Sequence, residues 1–185
     1  MLNFALVGCG RISGKHASNL AEGRVKGARL VAVCDLIPEK AQKLATKYDV
    51  PWFTSLQDMM QAMSEKIDVV NVLTDSGSHC DVTLEVAKWR KHIVVEKPMA
   101  MTLEQADSMI SACEEAGVKL FVVKQNRFNL PVIKLREALE AGRFGKLVMG
   151  TMRVRWCRTQ DYYDQASWRG KWASDGGVFA NQASH

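Results

Sequence analysis

Apolar segments of strand length alternate with amphipathic segments of helix length along residues 1–124 of this chain. The apolar segments lie at residues 2–7, 28–34, 52–53, 67–73, 93–95 and 118–124. Antiparallel strands can be joined by a tight turn, whereas parallel strands need a crossover of a dozen or more residues, usually a helix. The alternation therefore predicts an α/β fold with a doubly wound parallel sheet and right-handed crossovers.

Local signals mark where the helices between these strands begin and end. Pro38 suits the first turn of a helix, where its missing N–H is not needed. Thr102 and Gln105 have the spacing of a capping box, and Gly117 suits the left-handed residue that ends a helix. The spacing of apolar residues predicts further helices over residues 39–47, 56–63, 78–90 and 131–141.

The pattern changes after residue 124. Residues 147–157 read as one long strand, and Gly176-Gly177 precedes a last helical stretch over residues 178–185. An unpaired strand beside a helix that has just begun would leave sheet edges and apolar surface uncovered. We therefore expect a C-terminally truncated chain, with one complete domain over residues 1–124. Residues 125–185 would then be the N-terminal part of an incomplete α+β domain for substrate binding and oligomerisation.

The turn after the first strand, Gly8-Cys9-Gly10-Arg11-Ile12-Ser13, has the form of a dinucleotide-binding loop. The first glycine of such a loop permits a tight turn, and the second lets the backbone approach a pyrophosphate. N–H groups at the start of the following helix face the phosphates. Ser13 replaces the usual third glycine or alanine and is also small. This context indicates a Rossmann-type sheet, and the candidate cofactor contacts are Gly8, Gly10, Arg11 and Ile12.

Asp35 ends the second strand, where an acidic residue of this fold meets the adenosine ribose. Its carboxylate can accept hydrogen bonds from the ribose hydroxyls and would repel a 2′-phosphate. Because Leu36 and Ile37 follow instead of basic residues, the sequence favours NAD over NADP. Asp35 could also be only a turn residue. Further cofactor contacts are expected where the fourth strand ends, at Leu73, Thr74, Ser76 and His79.

Glu96-Lys97-Pro98 follows directly after the apolar run at residues 93–95. Lys97 would therefore stand at the carboxyl end of a buried strand, where ligands bind in open α/β sheets. An ammonium group in this place can hold a substrate oxygen or exchange a proton with it. The alternative is a solvated lysine that merely leaves a strand.

Several motifs together resemble the glucose–fructose oxidoreductase/inositol dehydrogenase/MocA family, and the resemblance covers the whole chain. They are the glycine turn, Glu96-Lys97-Pro98, Asn126-Arg127-Phe128, Trp168-Arg169-Gly170 and Gly176-Gly177. Within the family, residues 154–165 and 181–185 are most similar to bacterial UDP-N-acetyl-2-amino-2-deoxyglucuronate dehydrogenases. The resemblance implies NAD-dependent oxidation of the sugar 3-hydroxyl to a ketone in surface-polysaccharide (lipopolysaccharide O-antigen) biosynthesis. It also implies a cis Lys97–Pro98 bond and a homo-oligomer at full length.

The same resemblance assigns site residues by their position in these motifs. It implies catalytic roles for Lys97, Asn181 and His185, although relatives commonly carry aspartate at the position of Asn181. It adds Glu96, Lys97, Gln125, Trp168 and Arg169 to the cofactor contacts. The substrate contacts that it implies are Lys97, Arg155, Tyr163, Asn181 and His185.

Alcohol oxidation needs a base for the hydroxyl proton. A lysine with an ordinary pKa of ~10.4 would need that value lowered by roughly three units to act near neutrality, whereas histidine at ~6.5 needs almost no tuning. We therefore predict that His185 is the base and that Lys97 orients and polarises the oxygen. Asn181 and His185 are four residues apart, so a helix would place both on one face.

Composition excludes several other classes of function. The net charge of +5 is spread without a long basic run, which gives no support for nucleic-acid binding. No apolar run approaches the ~20 residues of a membrane span. Five widely spaced cysteines without a C-x-x-C pair indicate free thiols in a cytoplasmic protein, and no metal site is predicted. Two alternatives stay open, namely a family dehydrogenase for another sugar or cyclitol and a non-catalytic NAD-binding module.

Overall fold

A computed structural model describes residues 1–183 of the chain; Ser184 and His185 lie outside the described residues. Its centre is a parallel sheet with the strand order β3-β2-β1-β4-β5-β6. The strands are β1 Leu2–Val7, β2 Ala28–Cys34, β3 Trp52–Phe53, β4 Val69–Val72, β5 His92–Val95 and β6 Leu120–Val122. The order reverses between β1 and β4, as in a Rossmann-type sheet, so the predicted doubly wound fold is confirmed.

Helices connect the strands in the predicted order. They are α1 Ser13–Ala21, α2 Pro38–Tyr48, α3 Leu56–Met63, α4 His79–Lys88, α5 Leu103–Ala116, α6 Leu130–Glu140, and two short helices, α7 Gln160–Asp164 and α8 Trp172–Asp175. A π-helical turn, Phe179–Ala183, follows them. Within residues 1–183 no helix combines the length and the apolar character that a membrane crossing requires.

The helix-end signals act largely as predicted. Pro38 is the first residue of α2, and Gly117 has a φ of +69° directly after α5. The Thr102 hydroxyl accepts a hydrogen bond from the Gln105 N–H at 3.2 Å. The reciprocal half of the capping box differs, because the Gln105 side chain accepts from the N–H of Met101 and not from that of Thr102.

Each face of the sheet is covered by its own apolar cluster. In β1, Ala5 and Val7 point into the cluster under α3, α4 and α5, whereas Leu6 points into the cluster under α1 and α2. This follows from the pleat, since successive strand residues point to opposite faces. The central strand β4 is buried at all four positions, which is typical of a parallel sheet covered on both sides.

The C-terminal part of the chain differs from its prediction. Residues 147–157 have the alternation of a strand, yet they form no ladder with any strand in the described part of the chain and are exposed throughout. The predicted strand is therefore wrong. Strand geometry is maintained by hydrogen bonds to a neighbouring strand, and a sequence pattern alone does not provide them. Helix α6 likewise buries none of its residues.

The glycine turn is held where β1 meets the end of β4. Gly8 has a φ of +99°, and a Cβ placed on it would lie 2.6 Å from the carbonyl carbon of Leu73. A Cβ on Gly14, in the first turn of α1, would meet nothing within 4 Å. The two glycines therefore give a matched pair in which only one is required by its surroundings.

We expect Gly8→Ala to lower the free energy of unfolding by roughly 3 kcal/mol or more, because strained backbone and a steric clash add together. Gly14→Ala should leave stability unchanged or raise it by up to about 1 kcal/mol, since alanine favours a helix. Urea denaturation followed by circular dichroism measures both changes. Equal stability of the two variants would contradict the packing described for Gly8.

Candidate active site

Parallel register brings three strand ends to one edge of the sheet. Val7 of β1 pairs with Val72 of β4, and Val72 pairs with Val95 of β5. The residues that follow these strands, Gly8, Leu73 and Glu96, therefore begin at the same level. This edge is where ligands bind in open α/β sheets, and it is next to the point where the strand order reverses.

Asp35 supports the glycine turn at this edge. Its Oδ2 accepts a hydrogen bond from the N–H of Cys9 at 2.7 Å, and its Oδ1 accepts one from the N–H of Ile37 at 2.8 Å. A carboxylate offers about four acceptor positions, so both oxygens can still accept from a ribose. Burial, aided by the charge of Asp35, raises the pKa of the Cys9 thiol to about 12. The thiol is therefore neutral and adds no negative charge beside a phosphate.

The start of α1 fits a dinucleotide. A Cβ on Gly10 would meet nothing within 4 Å, so open space adjoins the second glycine. The Ser13 hydroxyl donates to the carbonyl oxygen of Gly10 at 2.6 Å, which ties the loop to the helix. No side chain caps α1 at Ile12, and Arg11 is exposed beside it. A pyrophosphate is the kind of group that such a glycine-rich helix start accepts.

A buried polar cluster joins α1 to the end of β5. His16 of α1 lies with its Nε2 3.0 Å from Glu96 Oε1, and the Asn71 amide donates to its Nδ1, also at 3.0 Å. An imidazole that accepts at Nδ1 carries its proton on Nε2 and donates it to the carboxylate. Glu96 Oε2 accepts from the N–H of Lys97. Glu96 therefore connects α1 to the backbone of Lys97.

The pKa of Glu96 follows from these contacts. Burial by itself would raise this pKa, but the hydrogen bond from His16, with the N–H and charge of Lys97, outweighs it. The net result is a pKa below the ordinary value of 4.5. Glu96 is therefore a carboxylate at neutral pH, held under the site by hydrogen bonds.

His79 lies beneath the site, not on its surface. Its side chain is buried, with Nδ1 2.7 Å from the Pro98 carbonyl oxygen and Nε2 3.2 Å from that of Thr74. Burial lowers its pKa despite these carbonyl groups, and a neutral imidazole has a single N–H, which the shorter distance assigns to Pro98. The predicted cofactor contact is thus placed instead as a buried hydrogen bond from the start of α4 to the loop after β5. The Lys97–Pro98 bond is cis, as the family resemblance implies.

The Lys97 ammonium is held by Asn181. Its Nζ donates to the backbone oxygen of Asn181 at 2.8 Å and to the amide Oδ1 at 2.9 Å. The Asn181 amide nitrogen donates to Asp175 Oδ1, and Asp175 Oδ2 accepts from the N–H of Gly170 at 2.7 Å. Asp175 and Asn181 are only 3% and 5% exposed. The structure thus brings together two predicted residues, Lys97 and Asn181, and adds Asp175.

Neighbouring charges shift the pKa of Lys97 in opposite directions. Burial is the largest cause and lowers the pKa of Lys97 below its ordinary value of 10.5. Lys124 and Arg169 act in the same direction, whereas Glu96 and Asp175 oppose it. The ammonium is therefore easier to deprotonate than an exposed lysine.

Aromatic and guanidinium groups form a second cluster in the C-terminal segment. The Arg169 guanidinium lies 4.2 Å from the ring centre of Tyr162 and 4.9 Å from that of Trp168. The Tyr162 hydroxyl accepts from the Gln182 amide at 3.0 Å, and the Tyr163 ring packs against Gly170. Stacking therefore holds Trp168 and Arg169 in place. Guanidinium groups stack readily on aromatic rings and also bind anions.

This cluster is close to the carboxyl edge of the sheet, where β1, β4 and β5 end. A Cβ on Gly77, which follows the buried Ser76 beyond β4, would lie 3.0 Å from the Ala173 oxygen and 3.2 Å from the Ser174 Cα. The turn after β4 and helix α8 are thus in close backbone contact. One region of the molecule consequently contains seven of the predicted residues, namely Leu73, Thr74, Ser76, Lys97, Trp168, Arg169 and Asn181.

Other predicted residues lie in different segments of the chain. Arg155 lies in the exposed irregular segment after α6, and Gln125 begins the 3-10 helix after β6. His185, predicted as the base, lies outside the described residues. Residues 1–183 contain no group of three or more His, Cys, Asp or Glu side chains that could hold a metal ion.

Sequence reasoning missed three residues of the site, namely His16, Asn71 and Asp175. A histidine one turn into the helix after the glycine loop was one available signal, because that face of the helix meets the sheet. The aspartate before Gly176-Gly177 was another, since its partners Gly170 and Asn181 are close to it in sequence. Asn71 gave no signal, because its partner is 55 residues away.

Comparison with known proteins finds two family models. One, the oxidoreductase family with an NAD-binding Rossmann fold (GFO_IDH_MocA), matches residues 2–124. The other, the GFO/IDH/MocA C-terminal domain, matches residues 132–185. The N-terminal domain is thus of the NAD-binding Rossmann type, in agreement with the glycine turn and Asp35.

Solved structures and curated relatives give more specific similarities. The dehydrogenase WlbA of Bordetella pertussis, solved with NADH and UDP-GlcNAcA, is 46% identical with a TM-score of 0.92. WlbA of Chromobacterium violaceum, solved with the same two ligands, is 40% identical with a TM-score of 0.94. This chain is fully covered in both cases, whereas 56% and 52% of those chains are covered.

Among curated proteins, D-glucoside 3-dehydrogenase of Escherichia coli is 36% identical over 83% of this chain and 43% of its own length. Myo-inositol 2-dehydrogenase of Thermotoga maritima is 30% identical over 78% of this chain and 42% of its own length. The chain therefore spans less than half the length of these curated relatives.

The lowered pKa of Glu96 predicts a specific pH dependence of stability. A depressed carboxyl pKa contributes stability above its unfolded value, and this contribution is lost as pH falls through the folded value. We expect Glu96→Gln to lower the free energy of unfolding by about 1 kcal/mol at pH 7. The difference from the wild type should shrink as pH falls below 4.5, the ordinary value of this group.

Urea titrations across this pH range measure the effect. Glu115→Gln, which removes an exposed carboxylate from α5, is the matched control and should change stability little at any pH. A deficit of Glu96→Gln that is constant with pH would contradict the hydrogen bond described between His16 and Glu96.

Proposed function

The chain belongs to the GFO/IDH/MocA family of oxidoreductases, and on that premise we propose that it carries the NAD site and reacting lysine of a nucleotide-sugar dehydrogenase. The reaction is oxidation of the 3-hydroxyl of UDP-N-acetyl-2-amino-2-deoxyglucuronate (UDP-GlcNAcA) to a ketone. The observation that carries the proposal is the Lys97 ammonium, fixed by Asn181 at the sheet edge beside the glycine turn. NAD, when bound, accepts the hydrogen and two electrons that leave the alcohol carbon.

Lys97 is suited to hold the hydroxyl oxygen that reacts. An ammonium has three N–H donors, and two of them are used on Asn181. The third can donate to a substrate oxygen and stabilise negative charge as the hydroxyl proton leaves. Burial lowers the pKa of Lys97, which makes it easier to pass a proton through this group. His185 keeps its role as the proposed base, with Lys97 as the group that orients the oxygen.

The other predicted residues complete the proposal. Gly8, Gly10, Arg11 and Ile12 would receive the pyrophosphate, and Asp35 would accept from the adenosine ribose. Glu96 and His79 act as supports for Lys97, and the neighbours of the nicotinamide end are Leu73, Thr74, Ser76, Gln125, Trp168 and Arg169. Arg155 and Tyr163 are proposed to contact the acidic sugar nucleotide together with Asn181.

Similarity supports the nucleotide sugar over a cyclitol. The two structures that contain UDP-GlcNAcA are 46% and 40% identical and cover the whole chain. The glucoside and inositol dehydrogenases are 36% and 30% identical and cover 83% and 78% of it. The higher sequence identity is what favours the nucleotide sugar. A dehydrogenase for another sugar or cyclitol is therefore the second candidate.

A third candidate is a non-catalytic NAD-binding module. The chain spans about half the length of its relatives, and both α6 and residues 147–157 are exposed. Such a module would bind NAD without reducing it. We further propose a cytoplasmic location, a place in surface-polysaccharide biosynthesis and a homo-oligomer at full length, on the basis of the family resemblance.

The proposed reaction predicts that the chain forms NADH when NAD and UDP-GlcNAcA are supplied together. Neither myo-inositol nor a neutral glucoside should replace the acidic nucleotide sugar, since Arg side chains recognise anionic groups. NADH absorbance measures turnover, and tryptophan fluorescence measures NAD binding in the same samples. Turnover with myo-inositol alone would favour the cyclitol candidate, and binding without any turnover would favour the module.

Lys97→Met should reduce turnover by roughly a hundredfold or more, because it removes the donor that orients the reacting oxygen and stabilises its developing negative charge. NAD binding should persist, since the glycine turn is unchanged. Lys88→Met, on the exposed face of α4, is the control and should retain wild-type turnover. A Lys97→Met chain with unchanged turnover would refute the assignment of the lysine.

Asp35→Asn should weaken NAD binding by about tenfold, which corresponds to the loss of hydrogen bonds to a charged acceptor. Binding of NADP should weaken less or improve, because the repulsion of its 2′-phosphate disappears with the charge. Calorimetric titration with both dinucleotides measures the ratio of the two affinities. An unchanged ratio would show that Asp35 only supports the turn.

A further inference from the structure

Asn181 lies between two groups of opposite charge. On one side its amide nitrogen donates to Asp175 Oδ1, and on the other its amide oxygen accepts from Lys97 Nζ at 2.9 Å. An amide has chemically different ends, one that only donates and one that only accepts. A carboxylate requires the donating end and an ammonium requires the accepting end. The two charges together therefore determine how the amide is turned.

We propose that Asp175 is a positioning residue that acts on Lys97 through Asn181, by holding the amide so that its oxygen faces the ammonium. The functional meaning of this arrangement rests on the proposed dehydrogenase reaction, in which Lys97 holds the substrate oxygen. Without the carboxylate, the amide could rotate and present its NH2 group to Lys97. Two donors would then face each other, and the ammonium would lose one of its two anchors.

The surroundings of Asp175 suit this role. The side chain is 3% exposed, and its second oxygen accepts from the N–H of Gly170. The carboxylate is thus fixed by the turn that also carries Arg169. The Ser174 hydroxyl, directly before it, donates to the Trp168 carbonyl oxygen at 2.8 Å. The segment over residues 168–175 therefore fixes the Asp175 carboxylate, the stacked Arg169 and, through Asp175, the Asn181 amide.

The neutral amide also separates the carboxylate from the ammonium. A carboxylate in direct contact with Lys97 would stabilise its charged form more strongly than an amide oxygen does. The other charged groups that act on Lys97 are Glu96, Lys124 and Arg169. With Asn181 as a spacer, Asp175 orients Lys97 while opposing its deprotonation less than a direct ion pair would.

Hydrogen exchange in the 185-residue chain, without NAD or sugar, tests the hydrogen bond from Asn181 to Asp175. The side-chain NH2 protons of Asn181 should exchange about tenfold more slowly than those of the exposed Asn19, because they donate to a buried carboxylate. NMR of the 15N-labelled chain measures both rates. Exchange at Asn181 as fast as at Asn19 would overturn the proposal, even if the chain proves to be an active dehydrogenase.

Two substitutions test the effect on the lysine, with Lys97 titrated by NMR of 13C-labelled lysine side chains. Asp175→Asn should lower the pKa of Lys97 below its wild-type value, because it removes a negative charge. Asp107→Asn makes the same change on the exposed surface of α5 and is the control. Asn181→Asp should raise the pKa of Lys97 above the wild-type value, because it puts a carboxylate in direct contact.

The outcomes separate this inference from the proposed function. A Lys97 titration that responds to Asp175→Asn no more than to Asp107→Asn would overturn the role of Asp175. If circular dichroism shows that Asp175→Asn does not fold, the exchange rates of Asn181 and Asn19 in the wild-type chain decide whether the proposal stands. Neither readout depends on substrate, so failure of the chain to form NADH would refute the proposed reaction and leave the Asp175–Asn181–Lys97 arrangement standing.

Discussion

The parallel hydrogen-bond ladder of β1, β4 and β5 is the constraint on which the site depends. Its register brings Gly8, Leu73 and Glu96 to one level at the carboxyl edge of the sheet. A slip of one residue in β5 would point Glu96 and Lys97 to the opposite faces. The ladder is stable because both sheet faces are buried, with Leu6 and Val7 pointing into different clusters. The proposed chemistry at Lys97 therefore depends on apolar packing that is remote from it.

Under this edge, polar side chains connect one loop to the next. Glu96 joins the helix of the glycine turn to the backbone of Lys97 through His16. His79 joins the start of α4 to the Pro98 carbonyl, and Asp175 joins Gly170 to Asn181 within the C-terminal segment. Each of these groups is buried and has hydrogen-bond partners, which is the condition under which buried polar groups contribute to a fixed geometry. A lysine on a loop is thereby held at a defined position.

Much of the N-terminal domain could be predicted from sequence, and less of the site. The bounds of β1 and α3 were predicted to the residue, because apolar periodicity and turn residues act locally. The strand over residues 147–157 was wrong, since a strand also needs a partner. The network of His16 with Glu96 links residues 80 positions apart, and no spacing rule covers such a contact. The roles of Asn181 and His185 stay predictions from the family resemblance.

The sequence by itself determined the alternation of strands and helices, the position of the glycine turn, and the place of Lys97 after a buried strand. These features follow from local preferences, which short stretches of chain express independently. Only the tertiary structure decided which groups surround the lysine. Asn181 reaches Lys97 across more than eighty intervening residues, so the hydrogen bonds between them exist only after the C-terminal segment has packed against the sheet edge. The direction of the Asn181 amide is set there, by two opposite charges that the fold places on either side of it.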